Sequence, residues 1–428
     1  MFRKLSVRDS VRIVVVTACA TAVTGITAAG SAPAQAASVA HVTSPAAAEF
    51  AARTVPAARV AATTSTQFQG VSCTMAQGCL AVGSWFSSAD EKLYALAETR
   101  APGSSTWTVH NPPHISGALS TAFGPIGNGE TVSCVSTPKA MCMAIGSFSN
   151  ASGQSNYAAM WSWPGWRTVN PPNPSPTRSS GLDAVRCVSS SYCVTIGHWV
   201  NSSTGKEELE GAVWNGTSWS AKPMPPAPSG NTGVRLWGLS CRSTTWCLAV
   251  GDYNTGSGPN LKQLTLSEVW NGKTWTMHLG ANPAGQNSNA LLGVSCTSTT
   301  SCVAVGNSLT PKLTLLSLSE TWNGKTWTVR ATPGGKQSIG GTLFDVSCQS
   351  ATFCLSVGTL AATWNGTKWT SVPFPTPSGA QVTNAVSLAC LSATSCTSAG
   401  GYSTKTATLP LVLNWNGQAL TIQKARTP

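Results

Sequence analysis

The stretch from Gly293 to Thr328 sets a pattern that most of the chain repeats. Its first half, GVSCTSTTSCVAVG, is two short runs of small and β-branched residues, each carrying a cysteine, Cys296 and Cys302. Its second half alternates through Leu316, Leu318, Glu320 and Trp322, turns at Asn323-Gly324 and resumes at Trp327. Period-two alternation predicts strands, because successive side chains of an extended chain point to opposite faces. Asn-Gly between two such runs predicts a hairpin with a type I′ turn, whose central residues both need φ > 0. The unit reads as four strands in two hairpins, the first able to carry a disulfide.

The cysteines recur as Cys73/Cys79, Cys134/Cys142, Cys187/Cys193, Cys241/Cys247, Cys296/Cys302, Cys348/Cys354 and Cys390/Cys396. Each pair precedes a short apolar run that ends in glycine: Gly83, Gly146, Gly197, Gly251, Gly306, Gly358 and Gly400. The second hairpin recurs cleanly from Trp214 to Trp219, Trp270 to Trp275, Trp322 to Trp327 and Trp364 to Trp369. Unit 2 keeps Trp161 and Trp166 around Pro164-Gly165, unit 1 has Arg100 at the first tryptophan position, and unit 7 follows Trp415-Asn416-Gly417 with Leu420. Residues 67–428 thus hold seven units of about 52 residues, which predicts an all-β, seven-bladed β-propeller with four antiparallel strands and one intra-blade disulfide per blade. Tandem independent domains are disfavoured, since such short units rarely make self-sufficient cores. An open solenoid would leave edges exposed that a ring protects. No strand exchange that would close the ring is visible. Closure is expected either from the segment Val55 to Val60 adding to a sheet edge or from the disulfides and blade interfaces alone.

The N-terminus changes the picture of compartment. Arg3, Lys4, Arg8 and Arg12 precede a largely apolar run, Ile13 to Ile26, and then Ala34-Gln35-Ala36. Residues 1–36 read as a secretory signal peptide cleaved after Ala36. Lipoprotein anchoring at Cys19 is the weaker alternative, because the apolar run continues past it. Residues 37–66 read as a flexible Ala/Thr/Ser-rich leader, and no later run is long enough for a membrane span. Fourteen of the fifteen cysteines remain after cleavage, and an even number in an exported chain favours disulfides over metal ligands. A loop of this size is worth roughly 2–2.5 kcal/mol in the chain-entropy model. Every cysteine has a repeat-mate, which argues against redox or catalytic thiols.

The formal charge is +12; beyond residue 36 there are 22 basic against 13 acidic residues, a net +9. Only 9% of residues are charged, against about 25% in an ordinary domain. The basic excess favours anionic cell-surface polymers, while the lack of a Lys/Arg stripe argues against nucleic acid.

The Cys loops and Asn-Gly turns are short and nearly uniform, and in a propeller they share one face. The other face carries the strand 2–3 connections, which vary: Gly251 to Trp270 spans 19 positions and Gly358 to Trp364 only 6. Variable loops on a rigid scaffold mark that face as the binding face. Two residues beyond the strand-2 glycine stand Trp85, Phe148, Trp199, Tyr253 and Tyr402, with Ser308 and Leu360 in units 5 and 6. In a ring these aromatics form an arc, either a stacking platform for sugar or peptide or further interblade packing. The tryptophans at the repeat positions of the second hairpin read as interblade packing. Glu98, Glu268 and Glu320, two residues before the first tryptophan position, are expected to be structural, bonded to a neighbouring blade.

Acids on the variable face are Asp90, Glu91, Glu207, Glu208, Glu210 and Asp252. Glu207 or Glu208 approaching Asp252 would give the two carboxyls a glycosidase needs, about 5–5.5 Å or about 6.5–9.5 Å apart. An accompanying arginine in one cleft would favour an enzyme, and a flat face lined by the arc would favour binding. His198 and Asp252 hold equivalent positions in units 3 and 4 and are candidate ligand contacts; without further ligands, no metal is expected there. No phosphate loop or nucleophile elbow is present, and no cofactor is expected.

EVWNGKTW (Glu268 to Trp275) and ETWNGKTW (Glu320 to Trp327) resemble the Asp-box hairpin, Ser-x-Asp-x-Gly-x-Thr-Trp, of BNR-repeat propellers such as sialidases. Gly, Thr and Trp match; Trp270 and Trp322 replace the Asp, and Glu268 and Glu320 the Ser. The arginine triad and Tyr/Glu pair of sialidases have no counterparts here, so the resemblance implies fold only. The repeat as a whole, SC-x5-C-x-AVG with WNG-x-x-W, is similar to secreted propeller proteins of actinobacteria. The expectation is an exported, monomeric, non-enzymatic propeller that binds a cell-wall or extracellular glycan or an exported protein. Alternatives are a glycoside-active hydrolase or lyase and an extracytoplasmic scaffold.

Overall fold

The computed structural model describes residues 65–125, 130–163, 165–333 and 341–425. The expected signal peptide, Cys19, the leader up to residue 64 with its Val55 to Val60 segment, and Pro164 lie outside them. Blade 1 is β1 (Ser65–Thr74), β2 (Gly78–Ser87), β3 (Lys92–Arg100) and β4 (Thr108–His110). Blade 2 has its inner strand in two pieces, β5 (Ser120–Phe123) and β6 (Val132–Val135), both paired with β7 (Met141–Asn150), then β8 (Gly153–Ser162) and β9 (Gly165–Thr168). Blade 3 is β10 (Thr177–Ser189), β11 (Tyr192–Asn201), β12 (Glu207–Trp214) and β13 (Trp219–Ala221). Blade 4 is β14 (Asn231–Ser243), β15 (Trp246–Thr255), β16 (Lys262–Trp270) and β17 (Trp275–Leu279). Blade 5 is β18 (Ser288–Ser298), β19 (Ser301–Leu309), β20 (Leu315–Trp322) and β21 (Trp327–Val329). Blade 6 is β22 (Leu343–Ser350), β23 (Phe353–Gly358), β24 (Ala361–Trp364) and β25 (Trp369–Val372). Blade 7 is β26 (Val382–Ser392), β27 (Ser395–Ser403), β28 (Thr408–Trp415) and β29 (Leu420–Gln423). The chain is a seven-bladed β-propeller.

All seven expected disulfides form within blades: Cys73–Cys79, Cys134–Cys142, Cys187–Cys193, Cys241–Cys247, Cys296–Cys302, Cys348–Cys354 and Cys390–Cys396. Cys79, Cys142, Cys193, Cys247, Cys302, Cys354 and Cys396 are buried, as is Cys296, so these sulfurs belong to the core. The reason is that the second strand of each blade faces the preceding blade. Cys79 shares a cluster with Ala399 of blade 7, Cys142 with Leu80 of blade 1, Cys193 with Met143 of blade 2 and Cys247 with Val194 of blade 3. Likewise Cys302 joins Leu248 of blade 4, Cys354 joins Val303 of blade 5 and Cys396 joins Leu355 of blade 6. Each bridge therefore staples a blade's own hairpin and fills part of an interblade interface.

The second cysteine of each pair in blades 2 to 7 lies directly across from the first tryptophan, as Cys302 does from Trp322. The indole N–H then ties the outer hairpin to the Cys turn: Trp322 Nε1 donates to Thr299 O at 3.3 Å and Trp415 Nε1 to Ala393 O at 2.9 Å. The second tryptophan wedges against the preceding blade; Trp327 shares a cluster with Leu248 and Val250 of blade 4. The turn between them differs from type I′. Only the glycine has positive φ, 94° at Gly324, and four residues separate the paired Trp322 and Trp327. Asn323 instead caps the turn with its side chain, Oδ1 accepting the N–H groups of Lys325 (2.9 Å) and Thr326 (2.8 Å). Asparagine favours such side-chain turns as readily as a left-handed backbone, so the dipeptide signalled the hairpin but not its type.

Arg100, the departure from the repeat in blade 1, joins the two ends of the ring. Its Nη2 donates to Thr397 Oγ1 (2.7 Å) and its Nη1 to Asn414 Oδ1 (3.1 Å), both in blade 7. Beside it Phe68, Leu96 and Trp107 of blade 1 pack with Ala399 and Val412 of blade 7. The four strands of blade 7 all come from the C-terminal segment, so among the described residues closure rests on packing, this clasp and the bond from Val71 N to Ser387 Oγ (2.9 Å). Between other blades the serine of the Ser-Cys dipeptide acts as a latch. Ser72, Ser133, Ser240 and Ser295 Oγ accept the N–H of Cys134, Cys187, Cys296 and Cys348 in the next blade, at 2.9–3.1 Å.

Each inner strand presents a free edge to the propeller axis, with N–H groups that need acceptors. In six blades the register skips one residue: Gln69, Asp183, Trp237, Leu292, Phe344 and Val386. Such bulges bend the strand and re-aim side chains. The amide two residues beyond each bulge finds an acceptor. Leu239 and Val294 donate to the two carboxylate oxygens of Glu130, which reaches from blade 2 to blades 4 and 5. Val346 (2.7 Å) and Leu388 (2.8 Å) donate to the two oxygens of Asp345. Val185 donates to Glu130 O and Val71 to Ser387 Oγ, both at 2.9 Å. Arg186 replaces the latch serine of blade 3, donates from Nε to Leu239 O (2.8 Å) and lies 3.3 Å from Glu130 Oε1. Burial pushes both carboxyls up, and the Arg186 guanidinium pulls them back.

Candidate functional site

Inner strands begin, and second strands end, on the face of the variable connections. There the bulge residue of a blade meets the residue just past the strand-2 glycine. In blade 3 Asp183 Oδ2 lies 2.8 Å from His198 Nδ1. In blade 4 Trp237 Nε1 donates to Asp252 Oδ1 at 2.7 Å. Asp252 Oδ2 accepts from Gln263 Nε2 (2.7 Å), and Gln263 Oε1 accepts from Ser288 Oγ of blade 5 (2.6 Å). Asp252 is 4% exposed, and burial pushes its carboxyl up to about 6 against these hydrogen bonds.

Arg235 of β14 bridges the two blades. Its Nε (3.0 Å) and Nη2 (2.7 Å) both donate to Glu207 Oε1, at the start of β12 in blade 3. The guanidinium carbon sits 5.4 Å from the Trp237 ring centroid, a cation–π contact. Glu207 Oε1 is also 4.0 Å from His198 Nε2. The side chains of His198, Glu207 and Arg235 are 14%, 21% and 18% exposed, so the group is desolvated yet reachable from solvent. Behind it Glu210 accepts from Asn156 Nδ2 of blade 2 at 2.9 Å, and burial pushes Glu210 up to about 8.

His198 and Asp252 are linked through Glu207 and Arg235 rather than placed side by side. The aromatic residues lean on interblade cores. Tyr253, 8% exposed, packs with Val194, Ile196 and Leu209 of blade 3. Phe148 packs on the blade 1/2 core and Tyr402 on the blade 6/7 core. Trp85 packs toward blade 7 and stacks on Tyr94 (5.0 Å, 23°), which tilts against His114. Trp199 is half-buried and belongs to none of these clusters. Glu208 accepts from Asn201 Nδ2 at 3.1 Å, and Asp90 accepts from the Tyr94 hydroxyl, which holds its carboxyl low. Glu91 is exposed at φ 56°. Among the described residues no three His, Cys, Asp or Glu side chains are grouped to hold a metal ion.

The expected neighbour bonds hold for Glu320, whose oxygens accept from Thr265 Oγ1 and Ala281 N of blade 4 and its following loop, both at 2.9 Å. They do not hold for Glu268. It is fully buried, and neither of its oxygens has a hydrogen-bond partner among the described residues. At the blade 3 positions equivalent to Thr265 and Ala281 stand Leu209 and Pro225, which offer no hydroxyl and no N–H. Sequence reasoning also missed Asp183, Arg235 and Trp237. Trp237 was visible as a tryptophan outside the repeat positions.

No protein-family profile matches the sequence, and no curated protein matches it. Solved structures do share its fold. An ulvan lyase of polysaccharide lyase family PL25 superposes at TM-score 0.50 with 8% identity over 85% of this chain and 96% of that one. YCF48 bound to D1 peptide gives 0.43 with 11% identity over 85% and 94%. An α-L-arabinofuranosidase of Fusarium graminearum with arabinobiose gives 0.41 with 11% identity over 78% and 88%. At these identities the likeness is one of fold alone.

Proposed function

We propose that this is an exported, non-enzymatic propeller that binds a cell-envelope or extracellular carbohydrate on its variable face, where blades 3 and 4 meet. The observation that carries the reading is the Arg235–Glu207–His198 group: charged, directional, partly solvent-reachable and seated on the Trp237 ring through Arg235. Sugars are held by such planar polar groups beside an aromatic surface. A hydrolytic pair fits less well. Asp252 is buried with both oxygens committed to Trp237 and Gln263, so it and Glu207 do not flank an open space as paired acid and base. Seven disulfides are the chemistry of an oxidising compartment, and with the signal-like N-terminus they support export.

The test is a glycan array probed with the oxidised protein and with His198→Ala, Trp199→Ala and Arg235→Met variants, each first checked for an unchanged melting temperature. Binding lost in these variants supports the site. Equal binding by all four proteins places recognition elsewhere, and release of new reducing ends from a bound glycan overturns the non-enzymatic reading.

A further inference from the structure

Where blades 3 and 4 meet, a supported cation faces a partly exposed anion. Arg235 rests on Trp237, Trp237 is tied by its indole N–H to buried Asp252, and Asp252 is tied through Gln263 to blade 5. Trp237 and Asp252 are buried and joined by a hydrogen bond, and half-buried Gln263 and Ser288 extend the chain, so the guanidinium rests on an ordered support before any ligand arrives. Glu207 is held through its side chain by Arg235 itself. It is the first residue of β12 and follows the exposed connection 202–206, where Gly205 has φ 69° and open space around it.

The pairing is also incomplete. Both Arg235 donors converge on Oε1 of Glu207, whereas a guanidinium fork matched to a carboxylate uses both oxygens in parallel. His198 faces the same oxygen. Its Nδ1 is held by Asp183, which leaves Nε2 directed at Glu207 Oε1 from 4.0 Å, beyond hydrogen-bond distance. The position therefore has cationic and polar groups on two sides and, between them, a carboxylate that meets both through one oxygen.

We infer that Glu207 is a resident stand-in for the carboxylate of an acidic, uronate-type glycan, which displaces it from Arg235 on binding. This rests on the carbohydrate-binding reading above and narrows it to one class of sugar. Exchanging one carboxylate for another keeps the charge balance of the desolvated site, so the ligand does not leave Arg235 buried and unpaired at any step. A neutral sugar has no group that replaces Glu207. The net +9 of the chain beyond residue 36 adds long-range attraction for a polyanionic partner.

The experiment titrates the full-length processed protein with uronate oligosaccharides, their methyl esters, neutral galactan oligomers and a phosphate-linked wall polymer. Glu207→Gln removes the competing charge but keeps the shape, and affinity for the uronates should rise about tenfold. Arg235→Lys keeps the charge but loses the fork, and affinity should fall by a similar factor; a thermal melt confirms that it folds. Weaker uronate binding by Glu207→Gln makes Glu207 a ligand contact and overturns the inference. So does equal binding of esters or neutral oligomers, or preference for the phosphate polymer, while the carbohydrate reading stands. Binding of none of the four sugars sinks both.

Discussion

Glu268 and Glu320 occupy the same position in adjacent blades and should respond to the same substitution with opposite signs. Glu320 accepts hydrogen bonds from Thr265 Oγ1 and Ala281 N, while Glu268 faces the apolar blade 3/4 interface without a partner. Burial pushes Glu268 up from 4.5 to about 8. Between those values the folded protein keeps a proton that the unfolded chain has lost. The contribution of this group to stability is therefore highest below about pH 4.5, falls as pH rises, and levels off above about pH 8. At 1.36 kcal/mol per pH unit, the interval to neutral pH corresponds to about 3 kcal/mol. Glu268→Met removes the titrating group with little change of volume. It should stabilise the protein by roughly 3–4 kcal/mol at pH 8 and by less than about 1 kcal/mol at pH 5. Glu320→Met leaves the buried Thr265 hydroxyl unpaired and removes the acceptor of the Ala281 N–H, and should cost about 1–3 kcal/mol. Urea unfolding of the oxidised proteins at the two pH values measures both. Destabilisation by Glu268→Met at pH 8, or the same sign for both variants, would refute the assignment of Glu268 as an uncompensated acid.

Two further outcomes follow from the axis and the latches. Glu130→Ala strands the amides of Leu239 and Val294 and the Arg186 guanidinium, and should lower stability by about 3–5 kcal/mol. Formate should partly restore the unfolding midpoint of that variant, and a formate response equal to that of wild type would count against Glu130 as the acceptor that the Leu239 and Val294 amides need. Ser240→Ala removes the acceptor of the Cys296 amide and should cost about 1–2 kcal/mol by denaturant titration, with Ser240→Thr costing less.

Part of the site was legible in the sequence. His198 and Asp252 stood out because the repeat sets them one residue past a glycine on the variable face. Arg235 was invisible as their partner, because it lies on the inner strand of blade 4 and meets a residue 28 positions away in blade 3. The aromatic arc was visible as a pattern, but the pattern did not say that four of its five rings lean on neighbouring blades. The cysteine pairing was legible from spacing alone, whereas the burial of the second sulfur of each pair depends on the blade packed against it.

Local order was written in the chain itself. Period-two alternation, cysteines at constant spacing, Asn-Gly turns and a recurrent length determine the strands, the disulfides and the seven blades, because each depends on residues close in sequence. The axis and the closure depend on the ring. Glu130 meets amides 109 and 164 residues away, and Arg100 meets Asn414 across 314 residues. A one-residue bulge in six of the inner strands leaves little trace in an alternating pattern, yet it aims Asp183 at His198 and Trp237 at Asp252. Which acid finds a partner was likewise decided by the adjacent blade: Thr265 and Ala281 serve Glu320, whereas Leu209 and Pro225 offer Glu268 nothing to bond.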